Sequence, residues 1–178
     1  MRKRTLKKTI DTKSEIFTAA EISRLWEAKD TNAYYGVILM YIYTGCRTSE
    51  LLKLKKTEVD LPGRCFKILE AKTTSGIRTV PIAEKVVPFF EYWMNLNDCE
   101  YLLSTPDGCQ LEYSKFLARW SSLMKSLSMN HLSHHARHTC KSLLAAAGVV
   151  ERITSSITGR PCLYSANMAE MLDAINKI

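Results

Sequence analysis

The sequence predicts an α+β domain that is mainly α-helical, with a small antiparallel β-sheet or hairpin on one side. Two observations lead there. Most of the chain after residue 17 divides into segments of helical hydrophobic period bounded by capping and breaking residues. One region interrupts them, where CFKILE (65–70) and IRTVPI (77–82) form two β-prone runs joined by AKTTSG, a hairpin pattern.

Taken in order, residues 1–15 read as a polar, extended arm. Thr18 and Glu21 then form a capping box, with Phe17 and Ile22 placed to staple across it. The helix that follows runs to about Lys29, with Ile22, Leu25 and Trp26 inward. AYYGVILMYIYT (33–44) is apolar almost all round and predicts a central core helix that ends at Gly45. Arg47 follows at once, and Ser49 and Glu50 start a short helix carrying Leu51, Leu52 and Leu54. An Arg beside an acid at such a junction also fits a plain structural ion pair. After the hairpin, 84–96 reads as a helix with Val86, Val87, Phe89, Phe90 and Trp93 inward and a start near Pro88. A loop around Pro106-Asp107-Gly108 leads to an amphipathic helix over 113–127 that uses Phe116, Leu117, Trp120 and Leu123. A short helix over 150–158 and a last one over about 166–177 complete the chain.

The densest chemistry lies in LSHHARHTCKSLLAAAG (132–148), which packs three His and one Arg into five positions at the mouth of a helix. Ser133 is the expected N-cap and Gly148 the left-handed residue at the far end. His134 and Arg137, three apart, share one side of the first turn, so a proton carrier and an anion-holding guanidinium share a small volume.

Hydrophobic content of 46% with 24% charged residues fits one globular domain with a proper core. No apolar run reaches membrane-spanning length, and the first residues lack the apolar stretch of a secretory signal, so a cytoplasmic protein is expected. Six Cys without a CxxC pair fit reduced thiols. Of the net charge of +7, the first thirteen residues carry +5, a basic tail that suits a nucleic-acid partner or a solubilising linker equally.

Three stretches together resemble the catalytic domain of tyrosine recombinases, the phage- and transposon-integrase group. TGCRTSELLKL resembles the family's first motif, AKTTSGIRTVPI its lysine-bearing hairpin, and SHHARHTCKSLLAAAG its HxxRHT motif, in the family's order. The resemblance covers roughly residues 15–178, with 1–15 as a linker and 16–178 as the catalytic domain. Nothing in the sequence corresponds to the core-binding and arm-binding domains that usually precede it.

The resemblance implies a site-specific recombinase that cuts and rejoins double-stranded DNA through a 3′-phosphotyrosine, for integration or excision of a mobile element in a bacterial cytoplasm, associated with the nucleoid. Carried over by position, Arg47 and Arg137 hold the scissile phosphate, Lys72 protonates the leaving 5′ oxygen, and His134 assists proton transfer. Glu50 orients Arg47 or His134. No cofactor or metal is implied, since side chains supply the cations. Relatives assemble on DNA as homo-tetramers, and a monomer is expected in free solution. Near the end the chain departs from the pattern. Arg160 stands where relatives have His or Trp, and Tyr164, the one tyrosine left for the nucleophile, follows it several residues early.

Three rival readings remain. A DNA-binding module of the same fold that has lost cleavage fits the irregular C-terminal segment. A zinc site built on His131, His134, His135, His138 and Cys140 fits their helical spacing. Last, the His and Arg residues could be purely structural in a helical interaction domain.

Overall fold

The computed structural model describes residues 15–71 and 74–178. The architecture is mainly helical with one small sheet, as the sequence predicts. Helix α1 (Ala19–Ala28) opens on the expected capping box: the Thr18 amide donates to Glu21 Oε2 at 2.8 Å and the Glu21 amide to Thr18 Oγ1 at 3.3 Å. Phe17 and Ile22 are both buried.

Helix α2 (Ala33–Thr44) is the centre of the core, buried from Tyr34 through Thr44. Its apolar surface has neighbours on several sides: α1, α4 (Val87–Asn95) and α6 (Ser133–Ala146) all pack on it. Each fully buried large side chain there, such as Leu39 or Ile42, contributes about 1.5–3 kcal/mol. Gly45 closes α2 at φ +63°, and a Cβ at this position would lie 3.0 Å from Cys140 Sγ and 3.1 Å from Thr158 Cγ2. Glycine is required there twice, for the left-handed backbone and for the close approach of α6 and α7 (Glu151–Thr158).

The sheet has three antiparallel strands in the order β1 (Val59–Asp60), β2 (Cys65–Ile68), β3 (Arg78–Pro81). The β2–β3 pair is the expected hairpin, with Phe66 opposite Val80 and Ile68 opposite Arg78. Strand β1 was not legible, because two residues carry no alternation. Phe66, Ile68 and Val80 turn one face into the core. Helices α7 and α8 (Met168–Asn176) pack along β3, which ties the end of the chain to the sheet.

Four boundaries differ from expectation. Ser133 does not cap α6. Leu132 occupies the N-cap position, while the Ser133 hydroxyl accepts a hydrogen bond from Thr48 Oγ1 at 2.8 Å and ties α6 to α3 (Thr48–Leu52). The third helix begins at Thr48, with Arg47 itself at the cap. The predicted 84–96 helix divides after Val86: a 3₁₀ turn over Glu84–Val86 precedes α4, which starts at Val87, beside Pro88 as expected. Helix α8 starts at Met168, where the Asn167 side chain accepts from the Glu170 amide. Gly148, at φ +74°, takes the expected left-handed role after α6. The remaining long helix, α5 (Tyr113–Ser126), buries Phe116, Trp120, Leu123 and Met124.

Candidate active site

Two guanidinium groups meet at the junction that closes α2. Arg47 caps α3, and its backbone leaves α2 through Gly45 and Cys46. Arg137, on the second turn of α6, is buried and donates from Nη1 to the Gly45 carbonyl at 2.9 Å, two residues before Arg47. Burial, and then the neighbouring positive charge of Arg47, lower the Arg137 pKa to about 10, while Glu50 opposes. At neutral pH the group stays charged. A buried cation repelled by a second cation is the electrostatic signature of a site that an anion would relieve.

Glu50 is the carboxylate that organises this corner. Its side chain is 6% exposed and accepts four hydrogen bonds: from the Arg47 amide (2.7 Å), Arg47 Nη1 (2.7 Å), Arg78 Nη1 (3.0 Å) and Arg78 Nη2 (3.0 Å). Burial alone would raise its pKa, but the fork of Arg78 and the donors of Arg47 outweigh burial and leave it lowered. Glu50 therefore orients Arg47, one of the two expected partners. The second partner is Arg78 rather than His134.

Sequence reasoning missed Arg78. It is 7% exposed, and it also donates from Nε to the Ile157 carbonyl (2.8 Å) and from Nη1 to the Gly76 carbonyl (2.9 Å). One side chain thereby fastens β3, the end of the hairpin loop and α7 to the carboxylate behind Arg47. An Arg within a short β-prone run looks like a solvated edge residue, so no local pattern betrays this role. Lys72 lies outside the described residues.

His134 is exposed on the first turn of α6, on the side shared with Arg137. Its ring is 4.6 Å from that of His135 and 5.5 Å from that of His138. His135 points inward and accepts the Leu132 amide on Nδ1 at 3.3 Å. His131 pairs with Glu21 at 3.1 Å and His138 with Glu15 at 3.6 Å. Burial, and then the charge of His134, lower the pKa of His135 and of His138, which favours neutral rings. Two of the four imidazoles, those of His131 and His138, tie the α6 region to Glu21 and Glu15. Among the described residues, no group of three or more His, Cys, Asp or Glu side chains is arranged to hold a metal ion.

Beyond α7 the chain turns at Gly159, φ +68°, where a Cβ would approach Arg78 Nη1 to 2.8 Å. Arg160 follows, exposed, with Nη1 3.8 Å from Glu151. A cleft of about 510 Å³ opens here, bounded by Arg78, Ser155, Arg160, Cys162, Met168 and Met171. Tyr164 is 76% exposed beside Leu163 at 95%, and the Cys162 thiol donates to the Tyr164 carbonyl. Tyr164 is thus neither buried nor the half-buried loop aromatic that a purely structural role would make it. The structure brings Arg47, Glu50 and Arg137 together and leaves the Tyr164 ring in solvent.

The comparisons with known proteins agree with this layout. The model of the phage integrase family matches residues 15–159. The chain is 27% identical over 188 residues to the tyrosine recombinase XerC-like protein of Caldanaerobacter subterraneus subsp. tengcongensis, covering 84% of this chain and 48% of that protein. It is 26% identical over 168 residues to the type 1 fimbriae regulatory protein FimB of Escherichia coli K12, covering 86% of this chain and 83% of that protein. The fold is that of the Tn1549 transposon integrase solved in complex with circular intermediate DNA, with a TM-score of 0.72 at 21% identity, over 89% of this chain and 61% of that one. The chain thus spans about half the length of the XerC-like relative.

Proposed function

The chain belongs to the phage integrase family, and from that premise we propose that it cuts and rejoins double-stranded DNA through a 3′-phosphotyrosine intermediate. The observation that supports this most is the Arg47–Arg137 pair, two guanidiniums at one helix junction with Glu50 as their nearby carboxylate. Bidentate guanidinium contacts match the geometry of a phosphodiester and neutralise the charge that develops on its oxygens.

In this reading Arg47 and Arg137 hold the non-bridging oxygens of the scissile phosphate. Glu50, bonded to Arg47 through backbone and side chain, fixes its direction. The Tyr164 hydroxyl attacks phosphorus and His134 assists removal of its proton, while the bond to the 5′ oxygen breaks and Lys72 protonates that oxygen. Arg160 donates to a phosphate oxygen in place of the His or Trp of relatives. A second 5′ hydroxyl later attacks the phosphotyrosine, restoring the diester and the free tyrosine. Because Tyr164 is exposed on a loop, the loop must fold onto the DNA for attack. In this reading the free chain is a monomer and assembly into a tetramer takes place on DNA; the packing of Met171, Ala174 and Ile175 of α8 within its own domain supports the monomer.

A second reading keeps the fold and the DNA contacts but removes cleavage. The exposure of Tyr164 favours it, as does the hydroxyl's lack of any hydrogen bond among the described residues. Nicked suicide duplexes from a randomised library separate the two. The recombinase leaves a covalent protein–DNA adduct on a denaturing gel, and Tyr164→Phe abolishes it. Duplex binding with no adduct from the unaltered protein would establish the second reading.

A further inference from the structure

Lys141 lies one turn beyond Arg137 on α6, about 6 Å further along the helix axis. It is partly shielded from solvent, and charged groups from three directions act on it: Arg137 from its own helix, Arg47 from the junction after α2, and Arg160 with Glu151 from α7 and the segment that follows. Glu151 is the one carboxylate among them, and it is shared, lying 3.8 Å from Arg160 Nη1 and accepting from Ser155 Oγ at 3.1 Å. Among the described residues Lys141 itself makes no ion pair or hydrogen bond. A lysine half withdrawn from water amid three guanidiniums lacks the counter-charge that an ordinary surface lysine obtains from solvent.

We infer that Lys141 is a further anion-binding residue of this site, taking the phosphate next to the one held by Arg47 and Arg137 on the same nucleic-acid strand. The inference rests on the DNA reading given above and extends it. One turn of α6 separates the two cationic positions, a distance comparable with one nucleotide step along a strand backbone. Arg160 adds a further positive charge that acts on Lys141.

The electrostatics give the contact a signature. Withdrawal from solvent, and then Arg137 and Arg160, bring the Lys141 pKa down to about 8. An arriving phosphate favours the charged ammonium, so the complex takes up a proton when it forms above that pH. Binding is then undiminished below about pH 8 and weakens as the pH rises.

The test is fluorescence anisotropy of the full chain with a labelled mixed-sequence duplex, titrated against salt and pH. The unaltered protein is expected to lose about tenfold in affinity between about pH 7 and pH 9. Lys141→Arg keeps the charge and flattens that response. Lys141→Gln makes the slope of log affinity against log salt shallower by about one unit. Circular dichroism confirms that each variant is folded. If Lys141→Gln binds with unchanged slope and unchanged pH response, the inference is overturned and the DNA reading survives. If the unaltered protein binds no duplex at any salt, the DNA reading falls and takes the inference with it.

Discussion

The pairing of Glu50 with both Arg47 and Arg78 shows how one carboxylate couples stability to the geometry of a site. Both members of the Glu50–Arg78 pair are more than nine-tenths buried, so Glu50→Ala strands a guanidinium in the interior and is expected to cost about 3–5 kcal/mol in urea denaturation. The pH dependence follows from the sign of the shift. Glu50's folded pKa lies below its ordinary 4.5, so its contribution is complete above that pH and is lost as the pH falls through the lowered value. Stability of the unaltered protein therefore declines in acid more steeply than that of Glu50→Gln. Arg47, Glu50 and Arg137 were legible because each belongs to a local pattern of helix junction, cap or His-rich turn. Arg78 and Lys141 were not. Arg78 meets a partner 28 residues away, the charges around Lys141 come from its own helix, from the junction after α2 and from α7 with the segment that follows, and a lone cation in a strand or an amphipathic helix reads as solvated.

At the level of elements, the helices were legible from period and punctuation: the Thr18–Glu21 box, the Gly45 end of α2, and Gly148 after α6 all act as read. What local pattern could not supply was how elements brace one another. Glu21 serves its own helix and also pairs with His131, 110 residues later, while Phe17 donates its amide to Thr139 in α6. Burial raises the Glu21 pKa, and the Thr18 donors and His131 more than offset that. Glu21→Ala therefore removes a cap and a tie between α1 and α6. A stability loss of at least about 1 kcal/mol is expected from the cap alone. Thermal unfolding followed by circular dichroism measures it. A change within error would show that neither contact matters. Ser133 illustrates the same limit: its hydroxyl suits an N-cap, yet the neighbouring Thr48 claims it.

For the whole molecule, α2 carries the core, and its C-terminal end is where α3, α6 and α7 converge. The cations of the site gather there because Gly45 lets those helices approach. The family match ends at Gly159, and the departures read in the sequence begin at the next residue, Arg160. The described part contains no helix long and apolar enough to cross a membrane. In the proposed function Arg47 and Arg137 act together on one phosphate. A double-mutant cycle of Arg47→Gln and Arg137→Gln, with duplex affinity measured at fixed salt and folding checked by circular dichroism, tests this most directly. If both hold the same phosphate, each substitution weakens binding and the double variant is little weaker than the worse single one, a coupling of about 1–3 kcal/mol. Effects that simply multiply would place the two guanidiniums on separate ligands and rule out a shared phosphate.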